Sequence, residues 1–336
     1  MDLHGRLPGK QGNISAFYAN DLPLIPRQWI VAAIGLSSLV LAVLMIRARL
    51  TINPMSLGSA AFVMIAGGLA GLRHATRRQI TLTQSRLHDM AETSLMLFVT
   101  IAMGGVASYV AAAETHGYSD AMLDRADQVL GFNWLWLYGV VTAHPWLQRL
   151  GQVFYDSIYV SPLVVLGYLA WHGHRGHARR FVLVAWIAIT LTLLLFPLFP
   201  AKGALDYLWQ GGAVPYLPRE GFGQDIIIEA LRDRTLTTID LAALRGVVCA
   251  PSFHTVCAVV FIVTAWPLKA LRWVIVPVNL AMLAATPVEG AHYLVDMLVG
   301  VLVALIAVAI ARQVSAWHDR AQPNYDAPDW MQVPAE

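Results

Sequence analysis

Charge is scarce in this chain. Asp, Glu, Lys and Arg make up 13% of its 336 residues, where a soluble domain carries about 25%. Hydrophobic residues reach 57% and mean hydropathy is +0.57. That scarcity excludes an ordinary soluble domain and points to a membrane-embedded protein. The net charge of +2 leaves too little cationic excess for nucleic acid. Cysteine is scarce too: Cys249 and Cys257 are the only two, and no CxxC or zinc-like spacing exists. A disulfide between them stays open, with two unpaired, partly buried thiols the simpler reading. Residues 1–20 lack a long apolar run and include Pro8, Gly9, Gly12 and Asn13. No cleavable leader is therefore expected, and the first apolar run reads as a retained span. No internal repeat or low-complexity tract is present.

What is there is a series of long apolar runs. A span needs about 20 mostly apolar residues. Eight segments qualify: 29–46, 56–72, 91–113, 150–171, 181–199, 252–268, 273–289 and 292–311. The expected fold class is all-α, a polytopic transmembrane helical bundle of about eight spans. The expected organisation is a cytoplasmic segment 1–28, N-terminal transmembrane helices 29–113, an outer-face segment 114–149, a transmembrane core 150–311 with outer loop 200–250, and a cytoplasmic tail 312–336. Residues 132–147 are rich in aromatics, with Phe132, Trp134, Trp136, Tyr138 and Trp146, and hold His144-Pro145. Such rings gather at the headgroup level, so an interfacial or re-entrant course is expected there. A ninth span is the alternative. With the N-terminus inside, the cytoplasmic segments carry 14 of the 23 basic residues, and the short loops 73–86 and 172–180 decide that orientation.

Two polar stretches stand out against this background. Pro251-Ser252-Phe253-His254-Thr255 opens the sixth span, and His292-Tyr293-Leu294-Val295-Asp296 opens the eighth. Both spans enter from the same face, so His254, His292 and Asp296 are expected at one depth. Ionisable groups near hydrocarbon are expensive and usually functional. A carboxylate at i+4 shares a helix face with the histidine. It can accept Nδ1–H, which leaves Nε2 with a basic lone pair. Ser252 fits an N-cap. A helix start suits an anion, which would meet the Ser252 and Thr255 hydroxyls and His254. Each stretch alone reads equally as a polar helix start. Together they fit phosphoryl transfer: one imidazole attacks phosphorus, Asp296 steadies it, and the other protonates the leaving oxygen. Cationic side chains would carry the transition-state charge, so no metal and no cofactor is expected. Asp156, near the outer end of the fourth span, reads either as a ligand for a headgroup hydroxyl or as a structural carboxylate.

The paired stretches resemble the second and third motifs of the type 2 phosphatidic acid phosphatase superfamily, over roughly residues 90–311. The form PSFHT…HYLVD is more similar to the branch around inositol phosphorylceramide synthase and its bacterial relatives. Asp124-Arg125-Ala126-Asp127-Gln128-Val129-Leu130-Gly131-Phe132-Asn133-Trp134 also resembles that branch. The resemblance implies that His292 is the phosphohistidine nucleophile, Asp296 its orienter, His254 the general acid and Ser252 a phosphate ligand. It implies a phospholipid or lipid-phosphate substrate, a lipid or polyol acceptor, and an active site at the outer leaflet. A lipid phosphatase using water is the alternative, and a proton-relaying transporter or lipid-binding protein a remote one. The family's Lys-x6-Arg-Pro does not follow Lys202, and its Ser-Arg ahead of the second histidine is Ala285-Thr286 here. Lys202, Arg245 and Arg219 are the local substitutes.

Overall fold

The computed structural model describes Leu22 and residues 24–321. The N-terminal segment with Arg6 and Lys10, and the tail beyond residue 321, lie outside the described residues. The described chain is an all-α bundle. Its helices are α1 (Arg27–Ala48), α2 (Leu57–Ala75), α3 (Leu82–Ala113), α4 (Asp120–Val129), α5 (Trp134–Ala143), α6 (Pro145–Tyr155), α7 (Ser157–Trp171), α8 (Arg175–Leu195), α9 (Ala204–Leu208), α10 (Gln224–Arg232), α11 (Phe253–Ala265), α12 (Lys269–Glu289) and α13 (Leu294–Ala321).

Six of these, α1, α2, α3, α8, α12 and α13, are long and apolar enough to cross a membrane. The pair α6 and α7 makes a seventh if taken as one bent span. The sixth expected span is α11, with only 13 residues. At 1.5 Å per residue it rises about 20 Å, against a hydrocarbon core of about 30 Å. Each of the eight expected segments is thus helical, but one is short and one is bent. The bend is 42° and falls at Asp156. There the Ser157 hydroxyl donates to the Phe154 carbonyl (2.6 Å), and Pro162 withholds an amide from the next turn. Residues 134–143 form α5, which at about 15 Å is too short to cross.

Local chemistry explains the helix starts. Ser56 caps α2 through the Ser59 amide. Thr81 and Gln84 form a reciprocal capping box on α3. Asn133 caps α5, and Pro145 occupies the first turn of α6. The core runs through α3, α7, α8, α11, α12 and α13, with Val165, Leu169, Phe181, Val182, Ala258 and Ala304 buried. Large apolar side chains such as Leu36, Val63, Leu163, Trp273 and Leu302 face outward, as lipid contact requires.

The two ends of the bundle differ. At one end, buried Glu92 on α3 meets Arg179 (2.7 Å), Arg73 (3.1 Å) and Arg27 (3.6 Å), drawn from α8, α2 and α1. At the other, a short parallel pair, β1 (Thr51–Ile52) with β2 (Thr238–Ile239), ties the α1–α2 connection to the loop after α10. The Arg234 guanidinium reaches the Ala48 carbonyl and Glu114 there. This second end also carries the starts of α11 and α13.

Candidate active site

The connection from α12 to α13 is where the second polar stretch lies. Gly290 ends α12, Ala291 adopts a left-handed φ of 49°, and the helix resumes at Leu294. His292 therefore sits just ahead of the helix, not in its first turn as its spacing predicts. The pair meets all the same, because Asp296 folds back over the helix start as a capping residue does. Asp296 Oδ2 accepts the Tyr293 amide (2.9 Å). His292 Nδ1 lies 3.1 Å from Oδ1 and 3.4 Å from Oδ2. Both side chains are buried.

The other free amides of this start are also taken. Asp127 on α4 accepts from Leu294 and Val295, each at 2.8 Å. Burial holds the Asp127 carboxyl above the ordinary range despite those two donors. Asp296 and Asp127 thus occupy the Tyr293, Leu294 and Val295 amides at the start of α13. Asp120, one α4 turn before Asp124, accepts from the Tyr293 hydroxyl (2.9 Å) and from the Lys202 and Gly203 amides (3.0 and 3.1 Å). So α4 supplies two carboxylates that fix the segment carrying His292.

The start of α11 is built differently. Ser252 Oγ accepts the Thr255 amide (3.4 Å) and the Thr255 hydroxyl (3.2 Å), and both residues are fully buried. The Ser252 amide donates to the Asp296 carbonyl (3.3 Å), which joins the two polar stretches directly. Close packing allows it: a Cβ on Gly300 would lie 2.8 Å from the Ser252 carbonyl oxygen. The His254 ring stacks on Tyr155, with centroids 3.8 Å apart and planes 14° off parallel. Its Nε2 is buried with no hydrogen-bond partner among the described residues. Tyr155 also reaches the other histidine. A Cβ on Gly290 would fall 2.8 Å from the Tyr155 hydroxyl and 2.5 Å from His292 Cδ2. The two imidazoles thus flank one tyrosine.

Charged groups of the loop 200–250 pair with one another and with Asp156. Arg219 Nε donates to Asp156 at the helix bend (3.0 Å). Glu220, beside it, sits between the charges of Arg245 and Arg219, yet burial outweighs both and raises its carboxyl above the ordinary range. Lys202 turns its ammonium to Asp225 (3.9 Å) and the Tyr118 ring (4.9 Å). Nearby Asp206 is pushed up to about 6, chiefly by burial. An apolar cavity of about 220 Å³ between α5, α6 and α12 is lined by Leu147, Phe154, Ala284, Val288 and Glu289 among others.

The family model described as the PAP2 superfamily matches residues 121–310, more than half of the chain. The chain belongs to the PAP2 superfamily. No curated protein and no solved structure matches it. The matched region of this PAP2 protein starts within α4 and closes within α13, so it takes in Asp127, Tyr155, Ser252, His254, His292 and Asp296 and leaves out α1–α3 and Asp120.

Sequence reasoning singled out His254, His292, Asp296, Ser252 and Thr255, and the structure brings these five together. Asp156, Arg219 and Arg245 gather around Glu220. The Lys202 ammonium is held by Asp225 instead. Tyr155, Gly290, Asp120, Asp127 and Cys249 escaped sequence reasoning. Asp127 lay inside the DRADQVLG stretch, which was a visible signal. Tyr155 stood next to the flagged Asp156. Cys249, whose thiol lies 3.7 Å from Asp296 Oδ2, gave no pattern of its own.

Proposed function

We propose that this PAP2-superfamily membrane protein is a lipid headgroup phosphotransferase working through a phosphohistidine, on the branch similar to inositol phosphorylceramide synthase. The observation that carries the reading is the pair of imidazoles around Tyr155, one oriented by a buried carboxylate and one with an unpartnered Nε2. Asp296 accepts Nδ1–H of His292, so Nε2 bears the lone pair that attacks phosphorus. His254, entering the step as the imidazolium, gives its Nε2 proton to the departing lipid oxygen as the P–O bond breaks and is left neutral. The acceptor hydroxyl then attacks the phosphohistidine and returns its proton to His254. His292 leaves unchanged.

Arg245 and Arg219, held beside Glu220, supply positive charge in place of the two family arginines missing here, one after Lys202 and one at Thr286. Ser252 and Thr255 shape the phosphate end, and Lys202 closes the loop side through Asp225. Asp156 orients Arg219 towards the headgroup. The apolar lining of the cavity beside Glu289 supports a reading in which an acyl chain lies there and the headgroup reaches the histidines. The site faces the outer side of a bacterial inner membrane in this reading, following the basic loops 73–86 and 172–180. Its position at one end of the bundle, away from the bilayer midplane, speaks for surface chemistry over transport.

The test is purified protein with labelled phospholipid, with and without ceramide, diacylglycerol or inositol. A new phospholipid supports the transferase; free phosphate as the sole phosphorus product replaces it with a lipid phosphatase. His292→Ala and His254→Ala are expected to lower kcat by at least about 10³-fold with the helical signal intact. Full turnover in either variant overturns the mechanism.

A further inference from the structure

The back of the His292 ring carries chemistry that phosphoryl transfer does not use. Cys249, His292 and Asp296 each present one donor atom within 4.8 Å of the other two. All three residues are buried. Asp296 Oδ2 lies 3.4 Å from His292 Nδ1 and 3.7 Å from Cys249 Sγ. A tetrahedral Zn²⁺, with Zn–S about 2.3 Å and Zn–N and Zn–O about 2.0–2.2 Å, holds such atoms roughly 3.3–3.6 Å apart. The two edges that meet at Asp296 Oδ2 are close to those values, and the third, between His292 and Cys249, is within 4.8 Å. Asp296 Oδ1 makes no hydrogen bond beyond its 3.1 Å contact with His292 Nδ1, so both carboxylate oxygens face the same donor cluster. One thiolate, one imidazole and one carboxylate form a donor set that prefers a borderline-soft divalent ion over Mg²⁺ or Ca²⁺.

We propose that Cys249, His292 and Asp296 form a Zn²⁺ site whose occupancy silences His292. The silencing half rests on the phosphohistidine reading above; the binding half does not. On binding, the Cys249 thiol releases one proton to solvent and its sulfur joins the metal. The His292 proton moves from Nδ1 to Nε2, and Nδ1 joins the metal. Asp296 binds as the carboxylate. The charges of metal, thiolate and carboxylate cancel, which suits a buried site. The proton now on Nε2 removes the lone pair that attacks phosphorus. The metal sits on the far side of the ring from the substrate, so inhibition lowers kcat and leaves KM unchanged.

The experiment titrates purified full-length protein with Cd²⁺ and Co²⁺ and follows the thiolate-to-metal charge-transfer bands. One equivalent is expected to produce the band. Cys249→Ser abolishes it, Asp296→Asn and His292→Ala weaken metal affinity by about 10–100-fold, and Cys257→Ser retains it. In parallel, Zn²⁺ is expected to cut the kcat of the wild type at least about tenfold, reversibly by chelator. In Cys249→Ser the ratio of rates with and without Zn²⁺ stays near one, whatever its basal rate. Absence of a band in the wild type, or a band that follows Cys257, overturns the site. A band accompanied by undiminished turnover overturns the silencing. A wild type with the band but no turnover on any lipid keeps the site and sinks the enzymatic reading instead.

Discussion

Gly290 sets how closely Tyr155 and His292 approach. It stands where the hydroxyl of one and the ring of the other converge, and a methyl group there would lie 2.5 Å from His292 Cδ2. That atom cannot yield freely, because Asp296 holds the ring from the opposite side. Gly290→Ala is therefore expected to turn the imidazole rather than unfold the helix end. Displacements of about 1 Å at a reacting group cost on the order of 10²-fold in rate. Steady-state kinetics should show kcat falling by about that factor with KM little changed, and circular dichroism should match the wild type. Wild-type kcat in this variant would mean that the ring is not held against Gly290. His254, His292 and Asp296 were legible in the sequence because titratable groups are rare in apolar runs. Gly290 and Tyr155 were not, since a glycine before a helix and a tyrosine within one are ordinary residues until the fold brings them to a histidine.

Among elements, α4 governs the site most without entering it. Its Asp127 takes two amides at the start of α13, more than 160 residues further along the chain. Asp127→Ala removes both acceptors and leaves buried donors unpaired, a loss of about 1–2 kcal/mol. Asp127→Asn keeps one acceptor oxygen and is expected to lie between. Thermal unfolding in detergent measures the loss, and kcat should fall in the same order as His292 loses its footing. Equal stability of all three proteins would show that the cap contributes nothing. The spans themselves were readable, since length and apolarity suffice for α1, α2, α3, α8, α12 and α13. The shortness of α11, the bend at Asp156 and the choice of Asp127 as cap were not, because each depends on partners distant in sequence. Sequence shows that a helix start has free amides, but not which carboxylate arrives to fill them.

At the scale of the molecule, the two ends carry different chemistry and that difference makes sidedness testable. One end gathers Arg27, Arg73 and Arg179 on Glu92. The other gathers β1 and β2, the loop 200–250 and both histidines. Basic residues concentrate on the cytoplasmic side in short loops, so the Glu92 end is expected to face the cytoplasm and the histidines the opposite compartment. The native thiols give little background, since Cys249 is buried and Cys257 half-buried. Ala213→Cys, exposed in the loop 200–250, and Ala75→Cys, exposed at the end of α2, mark the two ends. A membrane-impermeant maleimide applied to intact cells should label Ala213→Cys at once and Ala75→Cys only after lysis. The reverse order would turn the molecule over and put the histidines on the cytoplasmic leaflet. The lipid and acceptor would then have to come from that side, while the arrangement around Tyr155 stayed the same.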